Sequence, residues 1–465
     1  MSARDEAYGY LPEERPETGK LILYAIQQVI VMFPATITVA LITGFQVSTT
    51  IFASGLATLC FTFITGGKIP LYYGSSFAYL SAVASMAMAE GSLDQITVWQ
   101  ETGILPTELI SKAQFGIIMS GFVSIAAGLI VRKFGKEAVE KILPPSITGP
   151  ISMIIGLTLA GNALGDAVGT GDGPAAGAWL VVSLATLLST IFFSKYLKGF
   201  LGQIPLLLGA AVGCITAAVF YFVGGPDLNL FRSISDEALN SLWSAGPFAI
   251  PAFSLPTFSM TSLVAIMPIA IATIPESTAH MYQLDIYVND VAKKKGKKLD
   301  YSLIDLLDRN LIGDGLCDMI SGVVGGPAGT NYGENISTMA ITRVFSVSVL
   351  RVAAVLAMVV SCFTPLIKVI YGIPLAVIGG LEVYLFGAIA AQGIAIMIDK
   401  KVDMFSSKNI AVIAAIMVIG LGGQYQFGGN IPFFGFSVPC VAGASIFGIL
   451  LNALLSIGEK GEVVS

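Results

Sequence analysis

Long apolar stretches follow one another along almost the whole chain, with short polar loops between them. We predict that fourteen of them span a membrane, because a helix needs about 20 apolar residues to cross the hydrocarbon core of a bilayer. The first seven cover residues 21–45, 50–66, 69–89, 115–131, 142–161, 178–193 and 204–223. The last seven cover residues 263–280, 310–324, 331–345, 349–369, 373–396, 409–421 and 436–457. Segments nine, ten and thirteen are short for a crossing helix.

The composition agrees with a polytopic membrane protein and excludes a soluble one. Hydrophobic residues make up 55% of the 465 residues and charged residues only 12%, which is too little polar surface to cover a water-soluble fold of this length. The 25 Lys and Arg are scattered, so we expect no nucleic-acid surface. The five cysteines lie in apolar segments without the spacing of a metal site, which predicts buried thiols rather than disulfides or zinc ligands.

The distribution of basic residues predicts the orientation. With fourteen crossings and a cytoplasmic N-terminus, three of the 25 basic residues lie on the extracellular side, namely Lys112, Arg232 and Lys368. This asymmetry is typical of cytoplasmic loops, so we expect a multi-pass protein of the plasma membrane with both termini in the cytosol. The basic run at residues 293–298 is read as part of a cytoplasmic loop, with a docking patch for lipid or protein as the alternative.

The two halves of the chain carry faint matches. The third segment contains Tyr-Gly at residues 73–74 and the tenth contains Tyr-Gly at residues 332–333, while Pro and Gly recur five residues apart in segments five and twelve. Because each half has an odd number of segments, the second half enters the membrane from the opposite side and is inverted relative to the first. Inverted repeats with broken helices are typical of secondary transporters. The helix-poor runs at residues 69–74 and 325–330 predict unwound backbone that lines a cavity, with glycine-mediated helix contact as the alternative.

Ionisable residues inside the predicted spans are the candidate functional groups, because charges are costly in hydrocarbon. Glu276 and His280 are four residues apart and share a helix face, and Glu334 follows the break in segment ten. Asp314 is expected to orient a binding-site residue, whereas the roles of Asp318 and Glu382 stay open. With a single histidine and no ligand set, we predict no catalytic residue and no metal site, which argues against an intramembrane enzyme.

Several motifs together resemble the nucleobase–ascorbate transporter family, also called nucleobase:cation symporter-2, including its bacterial uracil and xanthine permeases. The motifs are Gly-Lys-Ile-Pro at 67–70, Gly-Ser-Ser-Phe-Ala at 74–78, Pro-Glu at 275–276 with His280, Ile-Ser-Gly at 320–322, and Asn-Tyr-Gly-Glu-Asn-Ile at 331–336 continued by Met-Ala-Ile-Thr-Arg at 339–343. The resemblance covers nearly the whole chain. It is most specific in the last of these motifs.

The resemblance implies an all-α polytopic fold of fourteen segments arranged as a 7+7 inverted repeat, with short antiparallel strands in segments three and ten. Segments one to four and eight to eleven would form a core domain, and segments five to seven and twelve to fourteen a gate domain. In residue numbers, the expected parts are the N-terminal tail 1–20, the core 21–140 and 261–371, the gate 141–225 and 372–457, the extracellular connection 226–260 and the C-terminal tail 458–465.

The same resemblance implies a secondary active transporter that imports a nucleobase by proton symport, with alternating access, no cofactor and a homodimer formed through the gate domain. The residues that it assigns to the ligand are Glu276, Glu334, Phe77, Tyr332 and Gly333. His280, Glu276 and Ser76 are expected in proton coupling. Asp314, Gln28 and Asn335 are expected to support the site.

The favoured substrate is uracil, and the chemistry of the residues agrees with it. Its ring N–H groups suit acceptor-only carboxylates such as Glu276 and Glu334, its carbonyls suit backbone N–H groups, and its flat face suits Phe77. Asp314 resembles the purine-transporting branch, so xanthine or urate stays an alternative substrate. An anion exchanger of the same fold is a weaker alternative, because no basic residue lies between Lys68 and Lys112.

Overall fold

The computed structural model describes residues 9–169, 173–231, 246–433 and 436–457. Predictions that concern the first eight residues, residues 232–245 of the expected connection (including Arg232) and the C-terminal tail 458–465 lie outside the described residues. The described part of the chain is mostly helical, and we number its helices and strands in chain order.

The first half contains ten helices and one strand. They are α1 (Thr18–Thr43), α2 (Val47–Ile64), β1 (Tyr73–Ser75), α3 (Leu80–Glu90), α4 (Leu93–Thr102), α5 (Thr107–Phe134), α6 (Glu137–Ile142), α7 (Pro145–Thr158), α8 (Ala160–Val168), α9 (Pro174–Tyr196) and α10 (Pro205–Gly224). A 3-10 turn, Phe77–Tyr79, leads from β1 into α3.

The described part of the second half contains nine helices and three strands. They are α11 (Met260–Ile266), α12 (Ala270–Lys294), α13 (Leu307–Val324), β2 (Gly329–Asn331), α14 (Gly333–Thr342), α15 (Val347–Ser361), α16 (Thr364–Tyr371), α17 (Leu375–Asp399), α18 (Ser407–Phe427), β3 (Asn430–Phe433), β4 (Phe436–Pro439) and α19 (Cys440–Leu455). A 3-10 turn, Met267–Ile269, joins α11 to α12.

Many of these helices have the length and composition of membrane spans. Within the described ranges, nine helical stretches are long and apolar enough to cross a bilayer, and three apolar helices are shorter. The prediction of a helical, multi-pass membrane protein is therefore confirmed. The count of fourteen crossings stays a prediction.

Two predicted boundaries were wrong. Segment thirteen is not short, because the helix that contains it, α18, has 21 residues. Segment nine extends to the 18 residues of α13, which is still short for a crossing helix. The ends of both helices carry polar residues that interrupt the hydropathy pattern but not the backbone hydrogen bonds. Segment eight was placed at residues 263–280, yet α12 continues to Lys294, so half of the expected cytoplasmic loop is helical. Hydropathy reports the apolar part of a helix and misses its polar extension.

Two short strands cross near the middle of the chain's fold. β1 and β2 pair antiparallel, with Tyr73 opposite Asn331 and Ser75 opposite Gly329. Two flanking backbone bonds extend the pairing, from Ser76 N to the Ala328 carbonyl at 2.9 Å and from Tyr332 N to the Tyr72 carbonyl at 2.9 Å. Because each strand leads directly into a short helix, the pairing brings the starts of α3 and α14 together.

Glycines allow the long helices to pack at very short range. A Cβ atom on Gly121 of α5 would lie 2.3 Å from the carbonyl oxygen of Gly315 in α13, and the reverse distance is the same. A Cβ atom on Gly393 of α17 would lie 2.4 Å from the carbonyl oxygen of Gly149 in α7. Close backbone approach at small residues is how helices associate in a lipid solvent, where hydrophobic burial between them contributes little.

Candidate functional site

The site forms where the crossed strands end. After β1, Ser76 begins the 3-10 turn and its hydroxyl accepts a hydrogen bond from Ala78 N at 3.3 Å. After β2, Tyr332 precedes the first residue of α14, Gly333. The first N–H groups of a helix have no partners within the helix and carry its positive dipole end. The pairing of β1 with β2 therefore places two helix starts in one region, and both are suited to polar or negative ligand atoms.

Helix α12 brings its ionisable side chains to this region. A Cβ atom built on Gly333 would lie 3.1 Å from His280 Nε2, so the imidazole lies directly against the start of α14. The carboxylates of Glu276 and Glu334 are near enough to repel each other electrostatically. Two acidic groups that are 58 positions apart in the sequence are thus neighbours in the fold.

Five of the predicted residues share an intermediate exposure. Phe77, Glu276, His280, Gly333 and Glu334 are each partly exposed. The two glutamates and the histidine are nevertheless densely surrounded by protein, and we interpret their exposed surface as the wall of an internal crevice. A crevice lined by an aromatic ring, two carboxylates, an imidazole and a helix start can accept a small, flat, polar molecule.

Tyr332 differs from the other predicted ligand residues because its side chain belongs to the scaffold. Its ring is buried and lies on Gly74, where a Cβ atom would be 2.2 Å from the ring. Its hydroxyl donates to the Ser75 carbonyl oxygen at 3.0 Å and also lies 2.9 Å from the Thr36 hydroxyl. The Tyr332 side chain therefore links β1, β2 and α1 instead of facing the crevice.

A buried polar network lies behind the crevice. Asn331 Nδ2 lies 3.1 Å from Ser277 Oγ, 3.2 Å from Asn310 Oδ1 and 3.2 Å from Asp314 Oδ2. The Ser277 hydroxyl donates to Asp314, and Asn310 Nδ2 donates to Ser277 Oγ at 2.6 Å. Because Ser277 follows Glu276 and Asn331 lies three residues before Glu334, the network fixes the two backbones that carry the glutamates.

The remaining predicted support residues also form a direct contact. Asn335 Nδ2 donates to both the backbone carbonyl and the side-chain Oε1 of Gln28, at 3.0 and 2.7 Å. Both residues are buried, so this pair joins the first turn of α14 to α1. Ser76 is buried as well, and the described hydrogen bond of its side chain is the local one that its hydroxyl accepts from Ala78 N. Glu382 lies on a different element, α17, and is buried there.

Sequence reasoning did not single out Ser277, Asn310 or Thr36. A usable signal was present for Asn310, which lies four residues before Asp314 and eight before Asp318 on one face of α13. We call Asn310, Asp314 and Asp318 the polar stripe of α13. A polar stripe on an apolar helix indicates buried polar partners, but the sequence does not show which elements supply them.

Comparison with solved structures shows the fold. The chain is similar to the structure of SLC26A9, with a TM-score of 0.63 and 13% identity, over 94% of this chain and 65% of that one. It is also similar to the transmembrane domain of the cyanobacterial bicarbonate transporter BicA, with a TM-score of 0.58 and 17% identity, over 89% of this chain and 98% of that one. At such low identity these likenesses concern the architecture alone.

Comparison of sequences shows the family. A family model described as "Permease family" matches residues 19–429. The uracil permease of Bacillus caldolyticus is 35% identical over 446 residues, which cover 95% of this chain and 94% of the relative. The uracil permeases of Bacillus subtilis (strain 168) and Escherichia coli (strain K12) are each 32% identical over 457 residues, covering 96% and 97% of this chain and 95% of each relative. The chain therefore belongs to the nucleobase–ascorbate transporter family, whose members are membrane permeases and not enzymes.

Proposed function

We propose that this protein is a secondary active transporter that imports uracil together with a proton by alternating access. The observation that carries the proposal is the meeting of Glu276 and Glu334 in one crevice beside two helix starts. The names of the relatives, which are uracil permeases, supply the substrate class.

The chemistry of the crevice matches the edges of a pyrimidine. Uracil presents two ring N–H donors and two carbonyl acceptors. An ionised glutamate accepts hydrogen bonds and donates none, so Glu276 and Glu334 suit the N–H groups, while backbone N–H groups near Phe77 and Gly333 suit the carbonyls. The ring of Phe77 contacts the flat face or the edge of the base. Tyr332 contributes by holding β1 and β2 in place, since its side chain is engaged with Ser75 and Thr36.

Proton coupling follows from the same pair of carboxylates. Two ionised glutamates in a poorly hydrated crevice repel each other, and a proton on either one removes that repulsion. Substrate and proton would then enter together and leave together. The imidazole of His280, which lies against Gly333 and one helical turn from Glu276, is placed to modulate this step. Ser76 supports the site by beginning the turn that carries Phe77.

The finer architecture is part of the proposal. Antiparallel pairing of β1 and β2, one from each half of the chain, is the contact that a two-fold axis in the membrane plane would generate. It supports fourteen crossings in a 7+7 inverted repeat, with a core at residues 21–140 and 261–371 and a gate at 141–225 and 372–457. We also propose cytoplasmic termini, a plasma-membrane location and a homodimer through the gate domain.

Xanthine or urate is the second candidate substrate, because Asp314 resembles the purine-transporting branch of the family. The geometry favours uracil over this candidate. Asp314 is buried in the network with Ser277, Asn310 and Asn331, so its carboxylate acts on the protein scaffold. Anion exchange, by contrast, would need positive side chains near the helix starts, whereas this chain has Glu334 in the first turn of α14 and Glu276 on the neighbouring α12.

Uptake by proteoliposomes tests the proposal. We expect saturable uptake of labelled uracil that an inward proton gradient accelerates severalfold and that a protonophore returns to the gradient-free rate. Protein-free liposomes are the control, and unlabelled xanthine is the competitor. Saturable uptake at a rate that does not depend on the proton gradient would contradict symport. Stronger competition by xanthine than by unlabelled uracil would contradict the substrate assignment.

A further inference from the structure

Asp318 is a buried carboxylate that the proposed mechanism does not use. It lies on the polar stripe of α13, one turn beyond Asp314, and only 2% of its surface is exposed. A charged group at such a place is destabilising unless strong hydrogen bonds compensate the lost hydration. Its hydrogen-bond partners therefore show what it does for the fold.

One oxygen of Asp318 contacts both crossed strands. Oδ1 accepts a hydrogen bond from the hydroxyl of Tyr73, the first residue of β1, and another from the backbone N–H of Gly329, the first residue of β2, at 2.9 Å. The two strands are thus joined to the same atom of α13. Because a buried donor left without a partner is destabilising, the shared acceptor holds both strands to α13.

The contacts around Tyr73 hold its backbone and its ring in one position. Its backbone carbonyl accepts from Ser54 Oγ at 2.8 Å and from Thr58 Oγ1 at 3.0 Å, and its N–H donates to Thr58 Oγ1 at 3.0 Å. Its ring lies on Gly329, where a Cβ atom would be 2.3 Å from the ring. The phenol reaches Asp318 because position 329 has no side chain, so the contact is built from both halves of the chain.

We propose that Asp318 is a positioning residue that fixes how β1 and β2 cross, and through the crossing the distance between Phe77 and Glu334. β1 leads into the turn of Phe77, and β2 leads into the helix start of Glu334. The proposal rests on the proposed function, because the affected property is affinity for the nucleobase. It assigns Asp318 a role as hydrogen-bond acceptor, and that role needs neither its charge nor a transported proton.

Conservative and disruptive variants of Asp318 separate a role as hydrogen-bond acceptor from a role that needs its charge. In Asp318→Asn the side chain keeps an oxygen that can accept both bonds. Its amide nitrogen can donate to the Ser120 hydroxyl, which interacts with the carboxylate of Asp318. Asp318→Ala removes both bonds, and Tyr73→Phe removes one. Cys317→Ser is the matched control, because the adjacent buried thiol donates to the Ala57 carbonyl in α2 and makes no described hydrogen bond to either strand.

Two measurements are made on the full-length protein in lipid nanodiscs. Hydrogen exchange of the amides at residues 73–75 and 329–331, without ligand, should accelerate about tenfold in Asp318→Ala and less in Tyr73→Phe, with Asp318→Asn and Cys317→Ser near wild type. Uracil affinity should follow the same order, with Asp318→Ala weakened about tenfold and Asp318→Asn within about threefold.

The outcomes distinguish the inference from the proposed function. Failure of the wild type to bind uracil would remove the proposed function, while the exchange rates still test the strand junction. Equal loss of affinity in Asp318→Asn and Asp318→Ala with unchanged exchange would overturn the positioning role and indicate a charge or proton role. If Asp318→Ala does not fold, Tyr73→Phe decides, and wild-type exchange and affinity in that variant would overturn the inference.

Discussion

Position 333 shows how a single missing side chain shapes the crevice. Gly333 starts α14, and the imidazole of His280 occupies the space that a Cβ atom would need, at 3.1 Å. Such a distance is below an ordinary van der Waals contact between carbon and nitrogen, so either the ring or the helix start would have to move. The glycine thus allows the histidine of α12 and the glutamate of α14 to share one site.

We expect Gly333→Ala to weaken uracil binding about tenfold, because the added methyl group displaces the imidazole and shifts the Glu334 backbone. Equilibrium binding of labelled uracil to purified protein measures this. Gly387→Ala is the matched control, since that glycine in α17 has open space around its Cβ position, and it should bind as the wild type does. Equal affinities for both variants and the wild type would contradict the placement of His280.

Individual residues differ in how far the sequence could predict them. Glu276, His280 and Glu334 stand out because charges and a lone histidine are rare in apolar helices. The structure places His280 against Gly333, the residue before Glu334, and Glu276 within electrostatic range of Glu334. Their role in binding stays a prediction. Ser277 and Asn310 were missed because hydroxyl and amide groups are common in such helices, and their significance depends on partners that only the tertiary fold supplies.

The segment before α1 is a structural element in its own right. Its backbone pairs with the end of α14, from Tyr10 N to the Arg343 carbonyl at 2.8 Å and from Phe345 N to the Tyr10 carbonyl at 2.9 Å. Lys295, at the end of α12, donates to the Gly9 carbonyl at 2.8 Å and forms an ion pair with Glu14. The segment therefore links the ends of the two helices that carry Glu276 and Glu334.

Glu14 makes this link dependent on pH. Burial alone would raise the pKa of Glu14, but hydrogen bonds from Lys295 and Lys297 and the N–H of Leu11 outweigh it and lower the pKa below its ordinary value. A carboxylate whose pKa is lowered on docking stabilises the docked state at neutral pH. That stabilisation decreases as the pH falls from the ordinary glutamate range through the lowered pKa.

We expect Glu14→Gln to accelerate hydrogen exchange at residues 9–16 on the order of tenfold at pH 7, since the buried ammonium of Lys295 loses its counter-charge. The difference from wild type should shrink when the exchange is measured below about pH 4, where a free glutamate is protonated. Glu17→Gln, at an exposed position without a cap hydrogen bond, is the control. Unchanged exchange at pH 7 in Glu14→Gln would show that the ion pairs do not hold the segment.

Elements with a continuous apolar pattern were the easiest to predict. Most of the nine long stretches coincide with predicted segments, because hydropathy measures the property that selects a membrane helix. Short elements were harder. Helix α4 lies between predicted segments three and four, where no helix was predicted, and the β3–β4 hairpin precedes the last helix without having been predicted. Both are held by local hydrogen bonds, such as the capping box of Ser92 and Gln95, which leave no trace in a hydropathy profile.

At the scale of the whole molecule, one architecture serves different chemistries. The chain shares its fold with SLC26A9 and BicA, a bicarbonate transporter, yet its crevice carries two carboxylates beside the helix starts. A site of this charge would repel a small anion and suits a neutral donor of hydrogen bonds. We expect bicarbonate and chloride to leave uracil uptake unchanged in a competition assay. Competitive inhibition by either anion would contradict the role given to the glutamates.

The fold class followed from composition, while the inverted repeat did not. A chain with 55% hydrophobic residues must use the bilayer as its solvent, and this conclusion needs no alignment. The inverted repeat was predicted only from short sequence matches, such as those around Tyr73 and Tyr332. Two halves with opposite orientation in the membrane share few sequence constraints, so such a repeat leaves little sequence similarity. The pairing of β1 with β2 is the structural observation that supports it.

The central claim is that Glu276 and Glu334 together bind the nucleobase, and equilibrium binding of labelled uracil tests it most directly. Each of Glu276→Ala and Glu334→Ala should lower the affinity about 100-fold or more, because a uracil N–H is left without an acceptor in a poorly hydrated crevice. Glu101→Ala, at an exposed position on α4, should bind as the wild type does. Binding within about threefold of wild type in either crevice variant would contradict the account.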